Sequence, residues 1–333
     1  MGTCRRWEIE AMKYGLWTTL VLMTLLTGCS ERQQAQLGFQ QTAGSQGLAM
    51  AVIETRNGSI EVRAEAGAGS VRISGTKTAS APTREEALAA AQRIRIEVAQ
   101  DVELLRVSVD VPPDVQGGAN LRVVLPPTVA LQLKSDNGSV TAVGAGRDVH
   151  ASTSNGRIRL EQIGGNVEAR TINGGILARE VAGDLDVQST NGGIDLEHVG
   201  ARQVKAVTTN SHIRATRTCG AVTLETTNGQ VDLRTGCLAE QPFISVKTTN
   251  SAVRLRLPAT IDARVRLETL NAPVQVDLTG VQASDVHSGS SSWSATLNQG
   301  GGSVTATTNN GRITLELDEP PVLTPGAPPE PAS

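Results

Sequence analysis

One phrase recurs along this chain and limits what it can fold into. It reads SDNGSV at residues 135–140, then TSNGRI, TINGGI, STNGGI, TTNSHI, TTNGQV, TTNSAV, TLNAPV and finally TNNGRI at residues 308–313. Its asparagine falls at Asn137, Asn155, Asn173, Asn191, Asn210, Asn228, Asn250, Asn271 and Asn310, at intervals of 18, 18, 18, 19, 18, 22, 21 and 39 residues. The last interval is close to two periods, so a degenerate copy is expected near Ser290, with Trp293 and Ala295 in its apolar places. A period of about 20 residues signals a stacked repeat rather than a globule, because one unit cannot bury its apolar side alone.

The copy at residues 167–184, VEARTINGGILAREVAGD, shows what each unit does. Val167, Ala169 and Thr171 alternate with Glu168, Arg170 and Ile172, which is the period of a strand with one face inward. Asn173 and Gly174 then turn the chain, as residues that tolerate positive φ. Ile176 and Ala178 alternate with Leu177 and Arg179 in a second strand, and Ala182, Gly183 and Asp184 make a second corner. Neighbouring copies hold like residues in phase: Val167, Leu185, Val204, Val222, Ile244 and Val265 six before each asparagine, and Ile158, Ile176, Ile194, Ile213, Val231 and Val253 three after. The fold expected is an all-β, single-stranded parallel β-helix (β-solenoid) of about ten coils rising about 4.8 Å each, a rod of about 45 Å. The asparagines and the Ser/Thr two before them have inward parity. That predicts a structural asparagine ladder whose side chains bond the turn backbone of their own and adjacent coils. The competing expectation is a plain turn-former facing solvent.

Aromatic residues make up only 2% of the chain, which suits a narrow interior of Val, Ile, Leu, Ala and Thr. The net charge of −3 comes without a basic patch, so nucleic acid is not an expected partner. The expected outer faces carry mixed charge, as at Arg157, Arg159, Glu161, Glu168, Arg170 and Asp186.

Residues 16–26, LWTTLVLMTLL, form an apolar run after Lys13 that is too short to span a bilayer and fits the core of a signal peptide. It ends Leu26-Thr27-Gly28-Cys29, which looks like the lipobox of bacterial lipoproteins, where the cysteine is acylated and becomes the first mature residue. The bland reading is a chance cysteine behind an ordinary signal. Glu8 and Glu10 are unusual before such a run, and a start at Met12 fits better. Cleavage would remove three basic and two acidic residues and leave a net charge of −4. Ser30 after the cysteine resembles outer-membrane rather than inner-membrane sorting, provided the source has two membranes. The expected partner is therefore a membrane, held through the lipid at Cys29.

The expected organisation is a lipoprotein signal peptide at 1–28, a flexible Gln-rich tether at 29–47, a β-rich N-terminal cap at 48–134, the solenoid repeats at 135–318 and a disordered Pro-rich tail at 319–333. In the cap, Thr83 and Glu86 form a capping box that opens a short helix reaching about Ala91. An NG hairpin at Asn57-Gly58, the "EEALAAA" helix, strands, the segment "VVLPPTVALQLKSDNGSV" and then repeats of T-x-N-G-x-I follow in that order. Over residues 49–317 this order resembles the bacterial putative-adhesin domain family of unknown function, whose members are β-solenoids. The resemblance implies a non-catalytic, cell-envelope solenoid and supplies no catalytic residues. The 22- and 21-residue intervals and the degenerate stretch near Ser290 depart from the family's regular pattern.

Cys219 and Cys237 lie one period apart, each nine residues after its asparagine, so both fall at one corner on consecutive coils. That spacing predicts a disulfide, which an envelope address permits; the alternative is two small residues that fit a corner. His150, His198, His212 and His287 share no metal-ligand spacing, and neither a cofactor nor a metal is expected. The leading functional expectation is a non-enzymatic envelope lipoprotein, lipid-anchored at the outer membrane, that presents its faces to an unidentified protein or glycan. A periplasmic scaffold or sensing partner of a signalling system is the first alternative. A polysaccharide-active enzyme is the second; its best carboxylates would be Asp184, Asp186, Asp195 and Glu197, against the simpler reading of a solvated, mixed-charge face.

Overall fold

In the computed structural model, residues 32–235, 241–278 and 281–318 are described. The leader with Cys29, the corner with Cys237 and the Pro-rich tail lie outside them. The described part is an all-β stack with one helix, built as two sheets of thirteen and fourteen strands whose inward side chains form a single apolar core. Each coil gives one strand to each sheet. Val149, Val167, Leu185, Val204 and Val222 bury one row, Ile158, Ile176, Ile194, Ile213 and Val231 another, and all are at most 3% exposed. Parallel pairing in strict register keeps each row aligned, for example Val167 beside both Val149 and Leu185. A slip by one residue would turn every one of these side chains to solvent.

The chain enters by β1 (Gln33–Gly44), then makes β2 (Met50–Thr55), β3 (Ile60–Ala64), β4 (Ser70–Ala81), α1 (Arg84–Arg93), β5 (Arg95–Gln100), β6 (Leu104–Asp110), β7 (Gly117–Leu125), β8 (Ala130–Ser135) and β9 (Val140–Val143). The expected N-terminal cap dissolves into this arrangement. β2 and β3 are a full coil of the solenoid, with β6 and β7 on one side and β8 and β9 on the other, all parallel. Capping falls instead to β1, β4 and β5, which pair antiparallel at that end. α1 packs on β1 and β4 over Ala79, Ala91 and Ile94. Its capping box is complete: the Glu86 N–H donates to Thr83 Oγ1 at 3.2 Å, and the Thr83 N–H donates to Glu86 Oε2 at 3.2 Å.

The tether expected at 29–47 is also corrected. Its polar glutamines hide a period of two, Ala35, Leu37, Phe39 and Ala43 turning inward between exposed residues, and residues 33–44 pair with β4 along their whole length. The degenerate coil expected near Ser290 is not a coil. β22 (Ala263–Thr269) and β23 (Val274–Asp277) form the last coil; β24 (Ala283–Ser288) and β25 (Ser292–Leu297) are antiparallel strands laid over β22. Trp293 and Ala295 are buried, but as part of that lid. β26 (Gly302–Thr308) and β27 (Ile313–Asp318) then return to fill the place between the last coil and the coil at β20 (Phe243–Lys247) and β21 (Val253–Pro258). At both ends, stacking order therefore differs from chain order, and this is why the final asparagine interval doubles.

Candidate binding surface

The repeated asparagine sits at the corner between the two strands of a coil. The corner breaks strand parity. Thr171 is buried, Ile172 and Asn173 face solvent, and Gly174 is buried. The expected inward asparagine is thus corrected: the side chains are exposed, and they bond one another rather than the turn backbone. Asn155 Nδ2 donates to Asn137 Oδ1 at 2.6 Å, Asn173 to Asn155 and Asn191 to Asn173 at 2.7 Å each. Asn210, Asn228 and Asn250 continue the file at 2.7–2.9 Å. It then passes to Asn310 at 2.8 Å and only afterwards to Asn271 at 2.7 Å, following the stacking order. At the other end Asn137 donates to Asn57, whose own amide reaches the Gly117 carbonyl at 3.4 Å.

The inward polar groups are the Ser/Thr two residues earlier. Thr153, Thr171 and Ser189 donate to the carbonyls of Gly138, Gly156 and Gly174 in the preceding coil at 2.9, 3.2 and 3.0 Å. The Gly174 N–H donates back to Thr171 Oγ1 at 3.2 Å, so one hydroxyl serves two coils. Where glycine follows the asparagine it does not serve positive φ at Gly174; a Cβ there would stand 1.7 Å from the Gly156 carbonyl oxygen, so coil-on-coil contact holds that position to glycine, whereas Ser211, Ser251 and Ala272 take the place on other coils. The left-handed backbone sits at the other corner and on unexpected residues. Gly144, Gln162, Glu180, His198 and Arg217 occupy one file with φ between 53° and 78°. Each lets the next residue turn inward after two outward ones, and that inward place holds Ala145, Ile163, Val181, Val199 and Thr218, all buried. No sequence signal beyond the off-parity spacing of Leu160 and Ile163 marks this file.

The four candidate carboxylates do not converge. Asp186 lies on β14 (Leu185–Ser189) and Asp195 and Glu197 on β15 (Ile194–Val199), which belong to different sheets. Asp184 is a corner residue whose Oδ1 accepts the Gln203 N–H at 3.0 Å, continuing a file in which Asp148 and Asn166 accept the N–H of the next coil. Asp186 accepts from Gln188, Glu197 pairs with Arg179 at 2.8 Å and Asp195 with Arg214 at 3.6 Å. Exposed pairs of this kind contribute about 0–1 kcal/mol each and mainly balance the face. Among the described residues no group of His, Cys, Asp and Glu could hold a metal ion. His150 pairs with Glu168 and His212 with Asp195, each pair bridging two adjacent coils. Cys219 is disulfide-bonded; Cys237, the partner that the spacing predicts, lies outside the described residues.

What the surface does form is a groove beside the asparagine file. It has a volume of about 500 Å³, and its walls are Lys134, Ser152, Arg170, Gln188 and Val207 on one side and Asp136, Ser154, Ile172, Thr190 and Thr209 on the other. A second hollow, lined by Glu54, Arg56, Ser108 and Asp110, shares Lys134 and Asp136 with it and lengthens it toward the N-terminal coils. The walls offer the hydroxyls of Ser152, Ser154, Thr190 and Thr209, the Gln188 amide and the charges of Lys134, Asp136 and Arg170, with half-exposed Ile172 between them.

The family profile of Toastrack DUF4097 matches residues 48–316. No curated relative matches. The chain is similar to the solved structure of a putative cell adhesion protein from Clostridium sporogenes, at 7% identity and a TM-score of 0.19, over 85% of this chain and 100% of that one. It is also similar to that of a putative adhesin from Bacteroides fragilis, at 12% identity and a TM-score of 0.25, over 86% and 98%.

Proposed function

The chain belongs to the Toastrack DUF4097 family, and from that premise we propose that it is a non-enzymatic envelope lipoprotein whose solenoid binds an extended polar ligand. The groove carries this reading. The stacked coils set hydroxyl, amide and charged groups in line along one direction, which matches an extended polymer lying along that axis, and the groove is open rather than an enclosed pocket for a small substrate. Asp184, the residue an enzyme would need beside Asp186, is already committed to a backbone hydrogen bond between coils. The anchor in this proposal is an acylated Cys29. Because β1 begins at Gln33, only a few residues then separate the lipid from the folded body.

Two measurements test it. Labelled fatty acid should enter the wild-type chain in cells and be lost in Cys29→Ser, which should also leave the membrane fraction; unchanged labelling ends the anchor. Capture from native envelope by the lipidated chain should be reduced by Arg170→Glu together with Ile172→Asp in the groove. Capture that is indifferent to both changes removes the groove from the proposal. Proteolysis of intact cells then separates a surface-exposed adhesin, which is digested, from a periplasmic scaffold, which is protected.

A further inference from the structure

Among the described residues the two sheets have four edges: β1 and β23 on one, β5 and β24 on the other. An exposed strand edge invites pairing with another chain, and proteins protect such edges with charge, brevity or a bulge. Three of these edges are protected. β5 carries Arg95 and Glu97. β23 has four residues, one of them Asp277. β24 is broken between Ser284 and His287, with Asp285 left-handed at φ 51°.

β1 has none of these devices. Its twelve residues, QQAQLGFQQTAG, include no charge and no proline, and its register with β4 runs unbroken from Gln33–Ala81 to Gly44–Ser70. The direction of its free groups can be read from one contact. The Gly44 N–H donates to Gln100 Oε1 and the Gln100 amide donates to the Gly44 carbonyl, both at 2.9 Å, so the peptide groups of Gly44 face away from β4. In an antiparallel pair that orientation alternates. Thr42, Gln40, Gly38, Gln36 and Gln34 therefore also present N–H and C=O to the open side. The inward face stops abruptly there too, since Leu37 and Phe39 pack at the rim of the core but are only half-buried.

We propose that β1 is a homodimerisation edge, at which a second copy of this chain pairs antiparallel about a twofold axis through Gly38. This register leaves Gly44 with Gln100 while pairing the longest stretch of β1. It sets Gln36 opposite Gln40 and Gln34 opposite Thr42 of the second copy, all with backbone groups facing across, and it lays Leu37 against Phe39 on the core side. The contact is self-complementary, as a twofold interface must be. The thirteen-stranded sheet would continue from one copy into the other.

Sedimentation of the chain as produced from its full sequence in cells, purified in detergent, should give a dimer. Gln36→Lys combined with Gln40→Lys places like charges opposite each other at two symmetry-related sites and should weaken the dimer by roughly 10- to 30-fold. The thermal midpoint at low concentration should not move, since both side chains are exposed. Gly38→Cys supplies an independent readout. A Cβ at Gly38 meets nothing closer than the Gly75 carbonyl oxygen at 4.0 Å, and directly paired residues across such a twofold stand about 5.5 Å apart, within disulfide range. Oxidised membranes should yield a covalent dimer of this variant and none of Leu88→Cys. A wild-type monomer at every concentration, a dimer indifferent to the lysines, or capture of a different protein by Gly38→Cys would each overturn the proposal.

Discussion

Identical substitutions at two buried threonines should shift stability in opposite directions. Thr171 and Thr218 are 6% and 0% exposed and lie in the same stack. Thr171 Oγ1 donates to the Gly156 carbonyl and accepts the Gly174 N–H. Valine there leaves two buried backbone groups unpaired, at about 1–3 kcal/mol each, offset by about 1 kcal/mol for the added methyl. The net expected loss is about 2 kcal/mol. Among the described residues Thr218 Oγ1 has no hydrogen-bond partner, and it fills the place that other coils give to Ile163, Val181 and Val199. Valine there removes an unmet polar group and should stabilise by about 1–2 kcal/mol. The two variants then differ by about 3 kcal/mol, or about 1 M in urea midpoint for a slope near 3 kcal/mol/M. Equilibrium urea denaturation followed by far-ultraviolet circular dichroism measures this, with Thr171→Ser as a control that keeps the hydroxyl. A shift of the same sign for both valine variants would refute the assignment of the hydroxyl as the deciding group.

Three further outcomes are expected. Asn173→Asp keeps the acceptor for Asn191 but sets a charged oxygen against Asn155 Oδ1, so it should destabilise by about 1–2 kcal/mol and more at pH 7 than at pH 3; a pH-independent loss would show that the file is not hydrogen-bonded as described. Glu180→Gly relieves a left-handed residue and should gain about 0.5–1 kcal/mol after the entropy cost of glycine. Gly144→Ala, whose Cβ would meet the Ala64 carbonyl oxygen at 2.9 Å, should lose stability, and the pair is compared by thermal midpoint. The Glu61 carboxyl is held below the usual glutamate range, chiefly by its hydrogen bond to Arg63, with Arg122 adding to it against partial burial. A depressed carboxylate stabilises above its unfolded pKa and loses that contribution as pH falls through the folded one. Glu61→Gln should therefore flatten part of the stability decline below about pH 4.5, as read from urea midpoints across acid pH.

The coil, its two strands and its in-phase rows were legible because each inward position repeats the same apolar type, as at Val167, Leu185 and Val204. Stacking order was not, since nothing in residues 263–318 distinguishes a coil added at the end from one inserted behind it. β1 was missed because Gln33, Gln34, Gln36, Gln40 and Gln41 around Ala35, Leu37 and Phe39 lower the mean hydropathy while leaving the alternation intact. The asparagines were legible as a file but not in their orientation. A three-residue corner resets parity, and counting alternation through Ile172 and Asn173 carries it one residue too far. The Gln162–Glu180–His198 file had no residue signature, because left-handed backbone was expected at glycine.

The way the ends are closed also governs how the molecule responds to force. β27, the final described strand, is flanked on one side by β21 and on the other by β23. Tension on the C-terminus cannot open hydrogen bonds one at a time from a free rim. It must shear a strand out of the middle of a sheet, loading both neighbours at once, so a pull that would unravel a simple spiral from its tip meets a lock instead.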